Sequence, residues 1–419
     1  MLPRFLRVQS AFPLLTALVL AACSTTTAPP VVESRSEPAA PSKPAPVATP
    51  APASSSTRSS PPLASVPALG RPLQPAEWSE LPGWNADALE ESWPAFMASC
   101  RGLARQPVWQ PVCEAGRALG TTPSGSEIRR FFEGRFSPWR VLNPDGTKEG
   151  LITGYYEPLI RGSRAKSRDY NWPVIGVPDD LLNVDLSDAY PELKGLRVRG
   201  RMGGHNKVVP YYTRAEINRT PERFAHKTLL YAADPIELFF MQVQGSGRVQ
   251  LPDGSLVRLA YGDTNGYPYQ SIGRWLVDKG ELKLEQASMD GIKNWVRANP
   301  ARLNELLAVN PSYIFFKEVP NTPGGPVGAL GQPLTEGRSM AVDPRSVPLG
   351  APVFLSTTNP LSTQPLQRLM MAQDTGSAIK GGVRGDFFWG FGPEAGTMAG
   401  RMRQKGEMWV LWPRDQMPR

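Results

Sequence analysis

Gly, Pro and Asp interrupt the apolar residues of this chain so often that long buried strands are excluded over most of its length. Of 419 residues, 45 are Pro and 39 are Gly. Leu151–Tyr156 reads as a strand, LITGYY, that stops at Glu157-Pro158. From there to about Thr264 the apolar residues come as short broken runs: WPVIGVP, VVPYYT, ELFFMQVQGSG, then RVQL and LVRLAY on either side of PDGS. Pro252-Asp253-Gly254 between two alternating runs is a hairpin signal. After Asn310 strands return as SYIFF, SMAVD, APVFL, RLMMAQD and EMWVLW. Short strands joined by long irregular links predict a barrel rather than a doubly wound sheet. Helical spacing marks Asn85–Arg105 (Leu89, Trp93, Phe96), a helix opening at Ser126 (Ile128, Phe131, Phe132), one opening at Ser288 (Ile292, Trp295, Val296), and one capped by Asn299-Pro300, and the segment between Cys100 and Cys113 also looks helical. There is no internal repeat.

The N-terminus carries two basic residues, Arg4 and Arg7, and then an apolar run from Ala11 to Ala22, too short to span a bilayer comfortably. Leu20-Ala21-Ala22-Cys23 has the form of a bacterial lipobox, with cleavage before Cys23 and lipid on that residue. A cleaved signal with an unrelated cysteine is the alternative. Ser24 in the next position fits outer-membrane sorting. Residues 24–75 are rich in Pro, Ala, Ser and Thr, cannot bury enough apolar surface to offset chain entropy, and read as a disordered spacer. In an exported compartment the remaining cysteines, Cys100 and Cys113, can pair; two buried thiols are the alternative. The remaining 340 or so residues are enough for two domains. The net charge of +8 suits an anionic partner such as wall polymer or lipid headgroups, and no nucleic-acid-binding signature is present.

Two histidines and three cysteines in the whole chain nearly exclude His-based triads and Cys/His metal cages. Chemistry must run mainly on carboxylates, which points first to sugars. MAQDTGSAIKGGVRGDFFW sets Asp374 and Asp386 in a Gly-rich, aromatic-flanked segment. Phe387, Phe388 and Trp389 would desolvate Asp386, raise its pKa and make it an acid; a turn aspartate beside core aromatics is the competing reading. Asp374, at a strand end before Thr375-Gly376, reads first as a turn residue. Glu157 is a candidate second carboxylate, or part of a turn before proline. GSGRVQLPDG is not a phosphate loop.

Six blocks together resemble the membrane-bound lytic murein transglycosylase A family: TGYYEP, VPYYTRAEI, FMQVQGSGRVQLPDG, TNGYPYQSIGR, NPSYIFF and AQDTGSAIKGGVRGDFFWGFGPEAGTMAG. The resemblance covers about Trp84 to Trp412. It implies a mostly β fold with some α: a double-psi β-barrel built from two chain segments (76–158 and 312–419), with a smaller β-rich domain (159–311) inserted and the glycan between them. It implies cleavage of the MurNAc–GlcNAc β-1,4 bond of peptidoglycan, from strand ends or within them, with formation of 1,6-anhydro-MurNAc. Asp386 would act as general acid and then base, with Asp374 in support. Thr153 and Tyr155 on the barrel would bind the glycan. So would Gln244, Gly245, Ser246, Gly247, Asn265 and Gly266 of the insert, and Lys380 and Trp389 of the last block. The implied partners are glycan strands, outer-membrane lipid through Cys23 and other cell-wall enzymes, with the folded part facing the periplasm; no metal or cofactor is implied. Ser377 and Gly262-Asp263 depart from the family pattern and put local loop geometry in question. A hydrolase on the same barrel, or a non-catalytic scaffold that binds peptidoglycan, is the alternative.

Overall fold

The computed structural model describes residues 73–193, 198–414 and 416–418. The signal segment with Cys23, and residues 24–72 of the expected spacer, lie outside the described residues. Six strands of an eight-stranded sheet form the barrel: β1 (Gly150–Glu157), β2 (Ser339–Val342), β3 (Pro352–Thr358), β4 (Pro365–Asp374), β5 (Arg384–Phe391) and β6 (Arg403–Pro413). Because β6 pairs with both β1 and β3, the sheet closes in the order β1–β6–β3–β4–β2–β5 and back to β1. The β2–β4 and β5–β1 pairings are parallel and the rest antiparallel. Closure removes the exposed edges such short strands would otherwise present. The expected closed, double-psi type of barrel is present.

Alternation along each strand fills the barrel. Ile152, Met340, Val342, Phe387 and Met408 belong to one buried cluster that extends to helices Trp93–Gly102 and Gly125–Arg135 through Trp93, Phe96 and Phe132. Cys100 and Cys113 form a disulfide between the first of these helices and Gln110–Leu119.

A second sheet of six strands has its own core of Val174, Leu230, Val249, Leu259 and Phe316. Helices Pro235–Gln244, Ile272–Asp278, Met289–Ala298 and Leu303–Ala308 pack through Phe239, Leu276 and Trp295. The expected hairpin is present: Gly247–Gln250 pairs antiparallel with Leu256–Thr264, and Gly254 takes the positive φ that the turn requires.

Four expectations are corrected. The strand in SYIFF does not reopen the barrel: Ile314–Val319 pairs with Leu256–Thr264 in the insert sheet, burying Phe315 and Phe316 there, and the barrel resumes at Ser339. The spacer ends before residue 75, because Leu73–Pro75 is a strand paired with Trp139–Val141 and Leu73 packs against the barrel core. ELFFMQVQ is a helix: Asp234 caps it by accepting from the N–H groups of Ile236 and Glu237, Pro235 opens it and Gly245 ends it in the left-handed region. The helix expected from Ser126 is capped by Ser124, whose partner in a capping box is Glu127.

Candidate active site

Strand register brings the two aspartates together. In the β2–β5 pairing Ala341 lies opposite Asp386, and in the β2–β4 pairing it lies opposite Asp374. The aspartates thus flank one small residue, two strand spacings or about 9–10 Å apart along the backbones. On the other side of β5, Thr153 of β1 is the register partner of Asp386 and Tyr155 that of Phe388. Strand alternation puts Asp386, Phe388, Thr153 and Tyr155 on the outer face of the barrel, and Ile152 and Phe387 in its core.

The Thr153 hydroxyl donates to Asp386 Oδ1 at 2.6 Å. Burial pushes Asp386 up to about 6, the Thr153 bond and the Arg384 guanidinium oppose the rise, and the Asp374 charge adds to it. Asp374 has both oxygens engaged: Oδ2 accepts from the Tyr155 hydroxyl at 3.1 Å and Oδ1 from the Ala329 N–H at 2.9 Å. Burial raises its pKa as well, against those bonds and one from the Thr375 N–H. Tyr155 packs at a tilt against Phe388, centroids 5.2 Å apart, within a small apolar cluster with Leu334, Ala341 and Ile379. This cluster desolvates the acid.

The other named residues divide. Gln244 and Gly245 end the helix Pro235–Gln244, and Gln244 Oε1 accepts from the Tyr156 N–H at 3.1 Å, tying the insert to β1. Ser246 is half-buried, and Gly247 opens its strand where a Cβ would strike the Met241 sulfur. Lys380 is exposed, in a loop held by Asp343, which accepts from the Gly381 N–H at 2.9 Å. Asp343 was not singled out from sequence; its sole signal was an Asp-Pro turn after a strand. Burial works against its ionisation, but Arg345 and the Gly381 and Arg345 N–H groups hold it at about 2.

Three readings of residues change. Asn265 is 1% exposed; its amide donates to Tyr212 O and Pro311 O and its oxygen accepts from Tyr313 N, so it clasps the insert and has no polar atom left for a glycan. Its neighbour Gly266 is exposed at positive φ, with Arg199 against it. Trp389 lies on the face opposite Asp386, against Phe387, Met402 and Gly154, because alternation turns it inward. Glu157 is fully buried between Arg248 and Arg258, at 2.9 and 2.8 Å, and is no second catalytic carboxylate. The family departures also have places. Gly262 sits at a β-bulge, Asp263 pairs with Arg199 at 3.0 Å, and Ser377 is exposed.

No group of three or more His, Cys, Asp or Glu side chains arranged for a metal occurs among the described residues.

A closed barrel carrying a desolvated aspartate of raised pKa beside an inserted domain has the parts of an acid–base enzyme. Residues 151–317 match the MltA specific insert domain and residues 338–412 the 3D domain. The chain is 31% identical over 297 residues to membrane-bound lytic murein transglycosylase A of Escherichia coli K12, covering 69% of this chain and 72% of that protein. The structure is similar to that of MltA from Neisseria gonorrhoeae, with TM-score 0.72, 39% identity and coverage of 83% and 94% of the two chains. It is also similar to E. coli MltA with bound chitohexaose, with TM-score 0.59, 28% identity and coverage of 78% and 90%. The chain belongs to the membrane-bound lytic murein transglycosylase A family.

Proposed function

We propose that this enzyme is a lytic transglycosylase that cleaves the MurNAc–GlcNAc β-1,4 bond of peptidoglycan, with Asp386 as its sole acid and base. The observation that carries the reading is the desolvated Asp386 carboxyl near pKa 6, bonded by Thr153 and half-buried on the outer face of the barrel. Protonated Asp386 gives its proton to the GlcNAc O4 as the C1–O4 bond breaks. The MurNAc 6-hydroxyl oxygen then bonds to C1, its proton passes to Asp386, and the carboxyl is restored. No water is consumed.

An inverting hydrolase needs a second carboxylate free to activate water. Asp374 flanks the same strand, but Ala329 and Tyr155 occupy its oxygens, and Glu157 is locked by two arginines. Asp374 therefore supports the site through Tyr155. The E. coli relative with bound chitohexaose favours a glycan strand as ligand, lying between barrel and insert near Gln244, Gly245 and Ser246. The family model over residues 151–317 takes in β1 of the barrel together with the inserted segment, and the one over residues 338–412 the other five barrel strands.

No described helix is long and apolar enough to cross a membrane. The lipobox at Cys23 and the membrane-bound relatives support a lipid-anchored enzyme on the outer membrane with its folded part in the periplasm. Mass spectrometry of sacculi digested with the soluble part tests the reaction: muropeptides about 18 Da lighter than hydrolysis products, the mass of the water not added, are expected. Full-mass reducing ends would indicate a hydrolase, and binding without cleavage a scaffold.

A further inference from the structure

The arginine of the VPYYTRAEI block has no role in the chemistry above. Arg214, Arg258 and Arg338 are the arginines buried among the described residues. Arg258 pairs with Glu157, and Arg338 with Asp87 and Glu91. Arg214 has no carboxylate partner among the described residues. Its Nε donates to Asn310 O, Nη1 to Gln242 Oε1 and Nη2 to Ser312 O, which uses three of the five N–H groups of a guanidinium. The faces of Phe239 and Tyr313 lie against it at 4.8 and 4.9 Å. Burial without a counter-charge lowers its pKa to about 10, and a buried charge of this kind is costly unless an anion meets it.

Arg214 lines a cavity of about 110 Å³ whose other walls are largely apolar, among them Ile217, Leu238 and Leu307. Asn171 and Trp172 of that wall also border a wider cleft of about 490 Å³ that carries Arg161 and Arg168. Neither space is lined by Asp386, Asp374 or Thr153. The narrow cavity follows the helix Pro235–Gln244 as far as Gln242, two residues from Gln244, which holds the Tyr156 N–H of β1.

We infer that this cavity binds the terminal carboxylate of a wall peptide stem, with Arg214 taking the charge and the apolar walls taking a small side chain. The inference rests on the murein reading above. A guanidinium fork fits a carboxylate in two-point fashion, and the small apolar volume suits a residue the size of alanine. A stem of four residues spans about 14 Å when extended, enough to pass along a helix that rises about 9 Å from Leu238 to Gln244.

The test has two readouts. In calorimetry the protein is titrated with the free tetrapeptide L-Ala–γ-D-Glu–L-Lys–D-Ala and with its C-terminal amide. Binding of the acid at least tenfold tighter than the amide is expected; equal binding, or none, overturns the site. Arg214→Gln should abolish that preference. Because Arg214 also braces three acceptors, Asn218→Asp is the second variant: it lies one helical turn on from Arg214, in the same wall, and supplies a competing carboxylate. It should lower the ratio of turnover on peptide-bearing glycan to that on amidase-stripped glycan by about tenfold, and an unchanged ratio overturns the site. If the wild type cleaves neither glycan, the murein reading fails, while the peptide titration still decides the cavity.

Discussion

The Thr153 hydroxyl donates a 2.6 Å hydrogen bond to Asp386, a residue 233 positions away in sequence. Parallel pairing of β1 with β5 makes them register partners. The bond favours the ionised carboxyl, and Arg384 does the same, so both hold down a pKa that burial drives up to about 6. The working acid is the outcome of that opposition.

Turnover should therefore fall as pH rises through about 6, when Asp386 loses the proton it must donate. Thr153→Val and Arg384→Gln each remove a contribution that favours the charged form. Both should move the falling limb of the pH–rate profile upward, by about one unit. A limb that stays in place or moves down would contradict the assignment.

Ionising Asp386 also burdens the fold. Its folded-state pKa is raised from 3.8 to about 6, so the stability it contributes is full below the unfolded value and is lost as pH rises through the folded one. The shift corresponds to about 3 kcal/mol. Asp386→Asn should abolish turnover and make the protein more stable than wild type at about pH 8 by up to that amount, with little difference near pH 4. Urea unfolding at both pH values checks this; equal stability at high pH would mean that the carboxyl is not desolvated.

Glu157 joins the barrel to the insert. It sits at the end of β1 and accepts from Arg248 and Arg258, and both arginines also donate to Gly324 O in the segment returning to the barrel. Glu157→Gln leaves two guanidinium groups without their counter-charge in a buried site. A loss of about 3–5 kcal/mol is expected in chemical denaturation, and a loss well under 1 kcal/mol would show the clamp to be dispensable.

The Cys100–Cys113 bond closes a loop with a sequence separation of 13. Replacing both cysteines by alanine should cost about 3 kcal/mol of stability while leaving the catalytic pH profile in place, since neither residue borders Asp386. A shifted profile would link the helices to the site.

The strands that became the barrel were legible because Gly and Pro bound them and alternation marks their faces; SMAVD, APVFL and EMWVLW stand where expected. Sheet membership was not, since it depends on long-range register: SYIFF has the same pattern whether it pairs within the barrel or with Leu256–Thr264. The missed helix at ELFFMQVQ carried readable end signals, Asp234-Pro235 and Gly245, which its unbroken apolar run obscured. At the site, the motif identified the two aspartates. That Tyr155 reaches Asp374 across Ala341, that Trp389 faces inward and that Asn265 is fully bonded follow from strand register and packing, which a local motif does not encode.

Digestion of purified sacculi in heavy-oxygen water, with wild type and Asp386→Asn side by side, tests the central claim most directly. The account predicts wild-type products that end in 1,6-anhydro-MurNAc with no heavy oxygen at the cleaved end, and no products from the variant. Heavy oxygen at a new reducing end, or turnover by the variant at the wild-type rate, would contradict it.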